Sequence, residues 1–489
     1  MLWNTSSVKT ASIQQEKVRT NDEPATVVRE LVLRARTAQR VADGWSQART
    51  DEVVMAAGWA IVEPARNRAL AEIAVRDTGL GNVADKIAKN RRKTMGLLRD
   101  LQHARSVGVI AEDRERGIIE IARPVGVVAA ITPSTNPGAT PANNIINALK
   151  GRNAIVLAPS PKGYSTLALL LDYVHAELDR VGAPRDLVQA LPAPIRREQT
   201  FELMRQADLV VATGSQTNVK AAYSSGTPAL GVGAGNVSVI VDETADVKAA
   251  AERIASSKTF DNATSCSSEN AVIAVEAVYG PLVEALAAEG GVLLSPDETR
   301  ALERTMFAGG KLSPAFIAQS APAIASLAGL ARAALQQARF LMVAQTGVGP
   351  EHPFSGEKLA PVLALYRVPD FAAAATLAGR LLDYQGAGHS VGLHSRDDDR
   401  ALELGLTLPV CRVIVNQAHC FATGGSFDNA LPFSLSMGCG TWGGNSLSDN
   451  LSYRHFLNIT TVVRPLPPES VHEPTEDDLF GAWRRKFGT

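Results

Sequence analysis

The chain of 489 residues is 45% hydrophobic and has a formal net charge of -1, with 49 basic and 50 acidic side chains mixed along its length. That balance leaves no concentrated basic face for nucleic acid or an anionic membrane, and the length allows two or three domains with sizeable cores. Four cysteines, Cys266, Cys411, Cys420 and Cys439, are too few for a disulfide framework, which fits a reducing cytoplasm and leaves each thiol to be explained singly.

The first twenty residues lack the apolar core of a secretion signal and are expected to form a flexible tail. No apolar run reaches the ~18 residues that span a bilayer, so a soluble, unsecreted protein is expected. From about Ala25 to Arg105 the apolar positions recur with helical spacing and prolines are few, which predicts several amphipathic helices. GIIEIARPVGVVAAITP then predicts two strands, the second buried, and NNIINALKG a helix. Strand NAIVLAPS, a helix from Tyr164 to Val181, strand LVQALP, helix REQTFELMRQA, strand DLVVATGS and helix QTNVKAAYSS follow. Such alternation implies parallel βαβ units, an open α/β sheet with its ligand at the carboxyl ends of the strands. The glycine-rich Gly226 to Asp242 leads into a second alternating block, and the domain boundary is placed there.

Within this frame, TFDNATSCSSEN stands out. Cys266 follows the turn signal Asp261-Asn262 and has Thr264, Ser265, Ser267 and Ser268 around it. Small neighbours let a carbonyl compound reach the sulfur, and backbone N–H groups at a turn can stabilise a thiolate. Cys411, in the alternating strand PVCRVIVN, reads as a packed thiol instead. Asn136, between Thr135 and Pro137 after a buried strand, can present an amide donor, although an Asn-Pro pair alone is an ordinary turn. Thr213-Gly214-Ser215 ends a strand where a helix begins, a geometry that aims free N–H groups at an anion. Glu357 precedes a strand, MGCGTWGGNSLSDN is dense in glycine, and His389 is a candidate base. His419-Cys420 lacks the paired ligands of a zinc site, so no metal is assigned.

In their order these stretches resemble the aldehyde dehydrogenase superfamily. TFDNATSCSSEN, GVGAGNV, EKLAPVLALY and GCGTWGGNSLSDN are most similar to its CoA-acylating branch. The resemblance implies an NAD(P)-binding domain over 21–230 with bridging strands near 117–124, and a catalytic domain over 231–425. Residues 426–489 would return to the cofactor domain and supply an oligomerisation strand, NITTVVRP, making a homodimer or homotetramer. It implies Cys266 as nucleophile, with Asn136 and the Cys266 N–H as the oxyanion site. Thr132, Pro133, Ser134, Pro159, Ser160, Lys162, Thr213, Gly214, Ser215 and Gly233 would face NAD or NADP, and Glu357 the nicotinamide ribose. CoA would take the acyl group, with help from His389.

Two departures matter. Hydrolytic members carry Glu-Leu-Gly-Gly where this chain reads Val232-Gly233-Ala234-Gly235, so no carboxylate is there to activate water, and a thiol co-substrate is expected to accept the acyl group. They also carry Lys-Pro-Ser-Glu where this chain reads Ala158-Pro159-Ser160-Pro161, which leaves NAD against NADP open. The hydroxyls of Thr264, Ser265 and Ser267 suit an aldehyde with an anionic head. TSCSSEN and LPFSLSMGCGTWGGNSLSDNLSYRHF also resemble most the sulfoacetaldehyde dehydrogenases of the acylating branch, and that resemblance ranks sulfoacetaldehyde first, acetaldehyde or propionaldehyde second and succinate semialdehyde third. A hydrolytic dehydrogenase and a catalytically silent binding protein of the same fold are the alternatives.

Overall fold

A computed structural model describes residues 6–488, with side chains from residue 24 onward. Four helices open the chain: α1 (Ser6–Asp43), α2 (Gln47–Val62), α3 (Pro64–Thr78) and α4 (Val83–Leu101). Of the tail expected over residues 1–20, the first five lie outside the described residues and the rest continues the backbone of α1. Local chemistry sets the starts of the later helices. Ser46 and Asn82 accept N–H bonds from Arg49 and Asp85, and Pro64 opens α3. The buried face of α4 is largely polar, with Lys86, Lys89, Asn90 and Lys93 ahead of Leu97 and Leu101. Leu97 and Leu101 join the apolar core, whereas the lysines ahead of them are turned toward charged and polar partners.

An antiparallel hairpin follows, β1 (Gly108–Asp113) and β2 (Ile118–Pro124). The first of these strands is absent from the sequence reading because its side chains are mostly exposed and show no buried apolar alternation. Then come β3 (Val127–Thr132), α5 (Ala139–Lys150), β4 (Ala154–Pro159), α6 (Tyr164–Arg180), β5 (Val188–Ala190), α7 (Arg197–Gln206), β6 (Leu209–Thr213), α8 (Gln216–Tyr223) and β7 (Ala229–Val232). The five strands form a parallel sheet of order β5-β4-β3-β6-β7. β3, β4 and β6 are buried along their whole length, which their β-branched runs require. Chain order reverses between β3 and β6, and a crevice opens at their carboxyl ends.

The second sheet begins immediately after, with β8 (Val237–Val241), so the chain changes sheets across Gly233 to Asn236. The helix α9 (Val247–Thr259) leads to β9 (Glu269–Val275), and β10 (Gly291–Leu293), β11 (Phe340–Ala344), β12 (Val362–Val368), β13 (Val391–His394) and β14 (Val413–Val415) complete a parallel sheet of order β10-β11-β12-β9-β8-β13-β14. Each sheet has its own apolar core. Phe433, Leu447, Leu451 and Phe456 of the returning segment pack into the core of the first. β15 (Leu457–Val463) then pairs antiparallel with β2, giving a separate sheet of order β1-β2-β15. Among the described residues no helix is long and apolar enough to cross a membrane, and no group of three His, Cys, Asp or Glu is placed to hold a metal ion.

Candidate active site

The two large sheets meet edge to edge with opposite polarity. The first offers the carboxyl ends of β3 and β6, as the βαβ pattern predicts. The second offers the amino ends of its strands: Cys266 precedes β9 and Glu357 precedes β12. Between them lies a cavity of about 480 Å³. Of the residues expected at the site, Thr132, Pro133, Ser134, Asn136, Ser160, Thr213, Gly214, Ser215, Gly233, Thr264, Ser265, Cys266, Ser267 and Glu357 line it. Three others do not. Pro159 is the buried last residue of β4, and Lys162 is exposed in the short turn Pro161–Gly163. His389 is 1% exposed, with Nδ1 2.7 Å from Ser390 Oγ, and burial pulls its pKa down to about 3, so the ring is neutral.

The Cys266 loop is built on backbone that most residues avoid. Asp261, Asn262 and Ala263 follow one another with φ of 51°, 52° and 59°. Asp and Asn tolerate this region better than other non-glycine residues, and long-range bonds hold them there. Asp261 Oδ1 accepts the Asn82 N–H at 3.0 Å, the Asp261 N–H donates to Asp85 Oδ2 at 2.8 Å, and Asn262 Nδ2 donates to the Ala318 carbonyl at 3.0 Å. The buried Asp261 Oδ2 accepts from Lys86 Nζ (3.1 Å), Lys89 Nζ (2.5 Å) and Thr264 Oγ1 (2.8 Å). Asp261→Asn is expected to cost about 3 kcal/mol in chemical denaturation, since it leaves two buried lysines without their counter-charge. A loss below about 1 kcal/mol would contradict that role for the carboxylate.

The same lysine orients Asn136. Lys89 Nζ donates to Asn136 Oδ1 at 2.9 Å, which fixes the amide so that its NH2 is the end left to donate into the cavity. The glycine-rich stretches also find their use. A Cβ on Gly235 would sit 2.2 Å from the Cys266 carbonyl oxygen, so only glycine lets this loop pass the Cys266 loop. Gly214 turns with φ of 139° into α8, whose cap is Ser215. Asn445 Oδ1 accepts the N–H groups of Gly233 (3.0 Å) and Cys439 (2.9 Å), pinning the cavity loop to the GCGTWGGN segment.

Two buried oxygens in the lining have no protein partner: Ser160 Oγ and Glu357 Oε1. Together with the free N–H groups at the Gly214 turn they suit a dinucleotide, whose ribose hydroxyls and phosphates supply the missing partners. A family model described as the aldehyde dehydrogenase family matches residues 5–295. The chain belongs to the aldehyde dehydrogenase family. It is 62% identical to a sulfoacetaldehyde dehydrogenase (acylating) of Cupriavidus necator, over 95% of this chain and 94% of that protein. Its fold is similar to the crystal structure of an acetylating aldehyde dehydrogenase from Geobacillus thermoglucosidasius, with a TM-score of 0.88 and 35% identity over 94% of this chain and 99% of that one. A propionaldehyde dehydrogenase of Rhodopseudomonas palustris, solved with bound CoA and an acylated cysteine, matches with a TM-score of 0.80 and 26% identity over 89% and 97% of the two chains.

In this aldehyde dehydrogenase the Cys266 thiol is held neutral at rest. Burial pushes its pKa well above the ordinary thiol value, and the Glu357 carboxyl adds to the shift. Glu357 is itself pushed up to about 8 by burial, opposed by a hydrogen bond from the Gly235 N–H. A raised thiol pKa means that the thiolate fraction keeps growing as pH rises through the neutral range. The rate of Cys266 alkylation by iodoacetamide in the free enzyme is therefore expected to climb up to pH 9 without a plateau. A plateau near pH 7 would mean a resting thiolate.

The sequence reading missed several lining residues, among them Lys93, Cys420 and Met437. Lys93 lies in a helix whose polar face looks like a solvated one. The available signal was the spacing of Lys86, Lys89 and Lys93, which repeats on one side of α4.

Proposed function

We propose that this aldehyde dehydrogenase converts sulfoacetaldehyde and CoA to sulfoacetyl-CoA through a thioester on Cys266, with NAD(P)+ as oxidant. The observation that carries the substrate is the 62% identity, over nearly the whole length, to an acylating sulfoacetaldehyde dehydrogenase. The chemistry is supported by the cavity, which joins one thiol on a small-residue loop to one amide donor.

Cys266 Sγ loses its proton to solvent and, as the thiolate, attacks the aldehyde carbon. The carbonyl oxygen takes the negative charge and is held by Asn136 Nδ2 and the Cys266 N–H, each such donor contributing about 3 kcal/mol to the transition state. When bound, the nicotinamide accepts the hydride from that carbon, which leaves an acyl thioester on Cys266. Ser160, Glu357 and the Gly214 turn bind and orient the cofactor. The thiol of CoA then attacks the acyl carbon, and its bond to Cys266 Sγ breaks. Glu357 is the one carboxyl group among the lining residues and is assigned to the cofactor, and the Val232 to Gly235 segment carries no carboxylate to activate water. The thioester therefore survives until CoA arrives. His389, neutral and buried outside this lining, remains the candidate base for the CoA thiol.

β15 leaves Ile459, Val462 and Val463 exposed, and the terminal helix Glu476–Phe487 exposes Leu479, Phe480, Trp483 and Phe487. This uncovered apolar surface beside a free strand edge supports a homodimer or homotetramer assembled through the three-stranded sheet. Four free thiols suit a cytoplasmic setting.

The substrate is tested by kcat/KM for a panel of aldehydes with CoA and either cofactor. Sulfoacetaldehyde is expected to exceed acetaldehyde, propionaldehyde and succinate semialdehyde by about 10-fold or more. A higher value for acetaldehyde or propionaldehyde would overturn the substrate and leave the acylating chemistry intact.

A further inference from the structure

α4 carries three buried lysines, Lys86, Lys89 and Lys93, on one face. The first two share the carboxylate of Asp261. Lys93 has no such partner among the described residues. Its Nζ donates to the Gly424 carbonyl at 2.7 Å and reaches that of Gly425 at 3.5 Å, with the Phe433 ring centroid 5.5 Å away. Carbonyls and a ring face solvate an ammonium but do not neutralise it. Lys93 is 9% exposed, and burial draws its pKa down to about 7, with Arg92 and Lys89 adding repulsion. A buried cation in this state is costly, and an anion beside it removes most of the cost.

Lys93 is also the one basic side chain in the lining of the cavity that holds Cys266 and Cys420. The Gly214 turn, read as the phosphate site, follows the carboxyl end of β6, whereas Lys93 reaches the cavity from α4. An ammonium nine-tenths buried and near the nucleophile suits a small anion better than a nucleotide phosphate.

We infer that Lys93 binds the anionic head group of the substrate, the sulfonate one methylene away from the aldehyde carbon, and thereby selects anionic over neutral aldehydes. This rests on the reading of sulfoacetaldehyde as substrate. With the aldehyde carbon at Cys266, the short spacer keeps the head group near the sulfur, where Lys93 is. Ser265 and Ser267, whose hydroxyls are 2.7 Å apart, line the same cavity and can add neutral donors.

The test compares wild type, Lys93→Met and Lys93→Arg in kcat/KM for sulfoacetaldehyde and acetaldehyde, and in inhibition of acetaldehyde oxidation by ethanesulfonate, an unreactive sulfonate. Lys93→Met is expected to lower the sulfoacetaldehyde-to-acetaldehyde ratio about 10- to 100-fold, mainly through KM, and to weaken ethanesulfonate inhibition comparably. Lys93→Arg keeps most of both. A lysine that only braces the Gly424 carbonyl would lower both substrates together. Equal losses, or undiminished inhibition by ethanesulfonate, overturn the assignment of Lys93 and leave sulfoacetaldehyde as substrate. A wild-type enzyme without preference for sulfoacetaldehyde overturns the substrate reading and this inference with it. If Lys93→Met fails to fold, Lys93→Gln, which keeps a donor for Gly424, carries the same comparison.

Discussion

Cys266→Ala is expected to lower acyl-CoA formation by a factor on the order of 10⁵ or more, the scale seen when a covalent nucleophile is removed. The only other thiol in the lining, Cys420, is buried, its N–H is bound to Ser257 Oγ at 2.9 Å, and burial pushes its pKa up to about 12. It is a poor substitute. NAD(P)H binding, followed by fluorescence titration, should persist, because the Gly214 turn and Ser160 lie on the first sheet. Turnover of Cys266→Ala near the wild-type rate would remove the thioester route altogether.

Asn136→Ala is expected to lower kcat by about 10² to 10³, the usual cost of losing one oxyanion donor in a site shielded from water. Asn136→Asp should be at least as damaging. A carboxylate there would pair with Lys89 and offer an acceptor where the reaction needs a donor. The rate of NAD(P)H release in a single turnover isolates this step from CoA transfer. A loss smaller than about 10-fold would mean that the Cys266 N–H stabilises the oxyanion without Asn136.

Much of the fold was legible because burial leaves a mark on composition. β3, β4 and β6 read as strands from their apolar runs, and the change of sheet fell within the glycine-rich Gly226 to Asp242. The second sheet was legible only as an alternating block. β10 and β14 have three residues each, too few to show a period. β1 escaped notice because an exposed strand needs no apolar alternation. At the site, Cys266 stood out by its small hydroxyl neighbours, while Asn136, an ordinary Asn-Pro turn when read alone, was singled out by the family resemblance; both line the cavity. The groups that position them were not: Lys89 reaches Asn136 across 47 residues and Asp261 across 172. No local pattern encodes such a contact. The pairing of the carboxyl edge of one sheet with the amino edge of the other was equally hidden, since it depends on how two separately folded sheets meet. His389, read as a base from its residue type, is buried and is not among the residues that line the cavity.

On the proposed mechanism the acyl group leaves Cys266 for CoA and not for water. Rapid-mixing measurement of NAD(P)H formation from sulfoacetaldehyde, with and without CoA, separates the two acceptors. Without CoA a burst of at most one NAD(P)H per active site is expected, followed by near silence, with steady turnover restored when CoA is added. Sustained NAD(P)H and free sulfoacetate formation in the absence of CoA would contradict it.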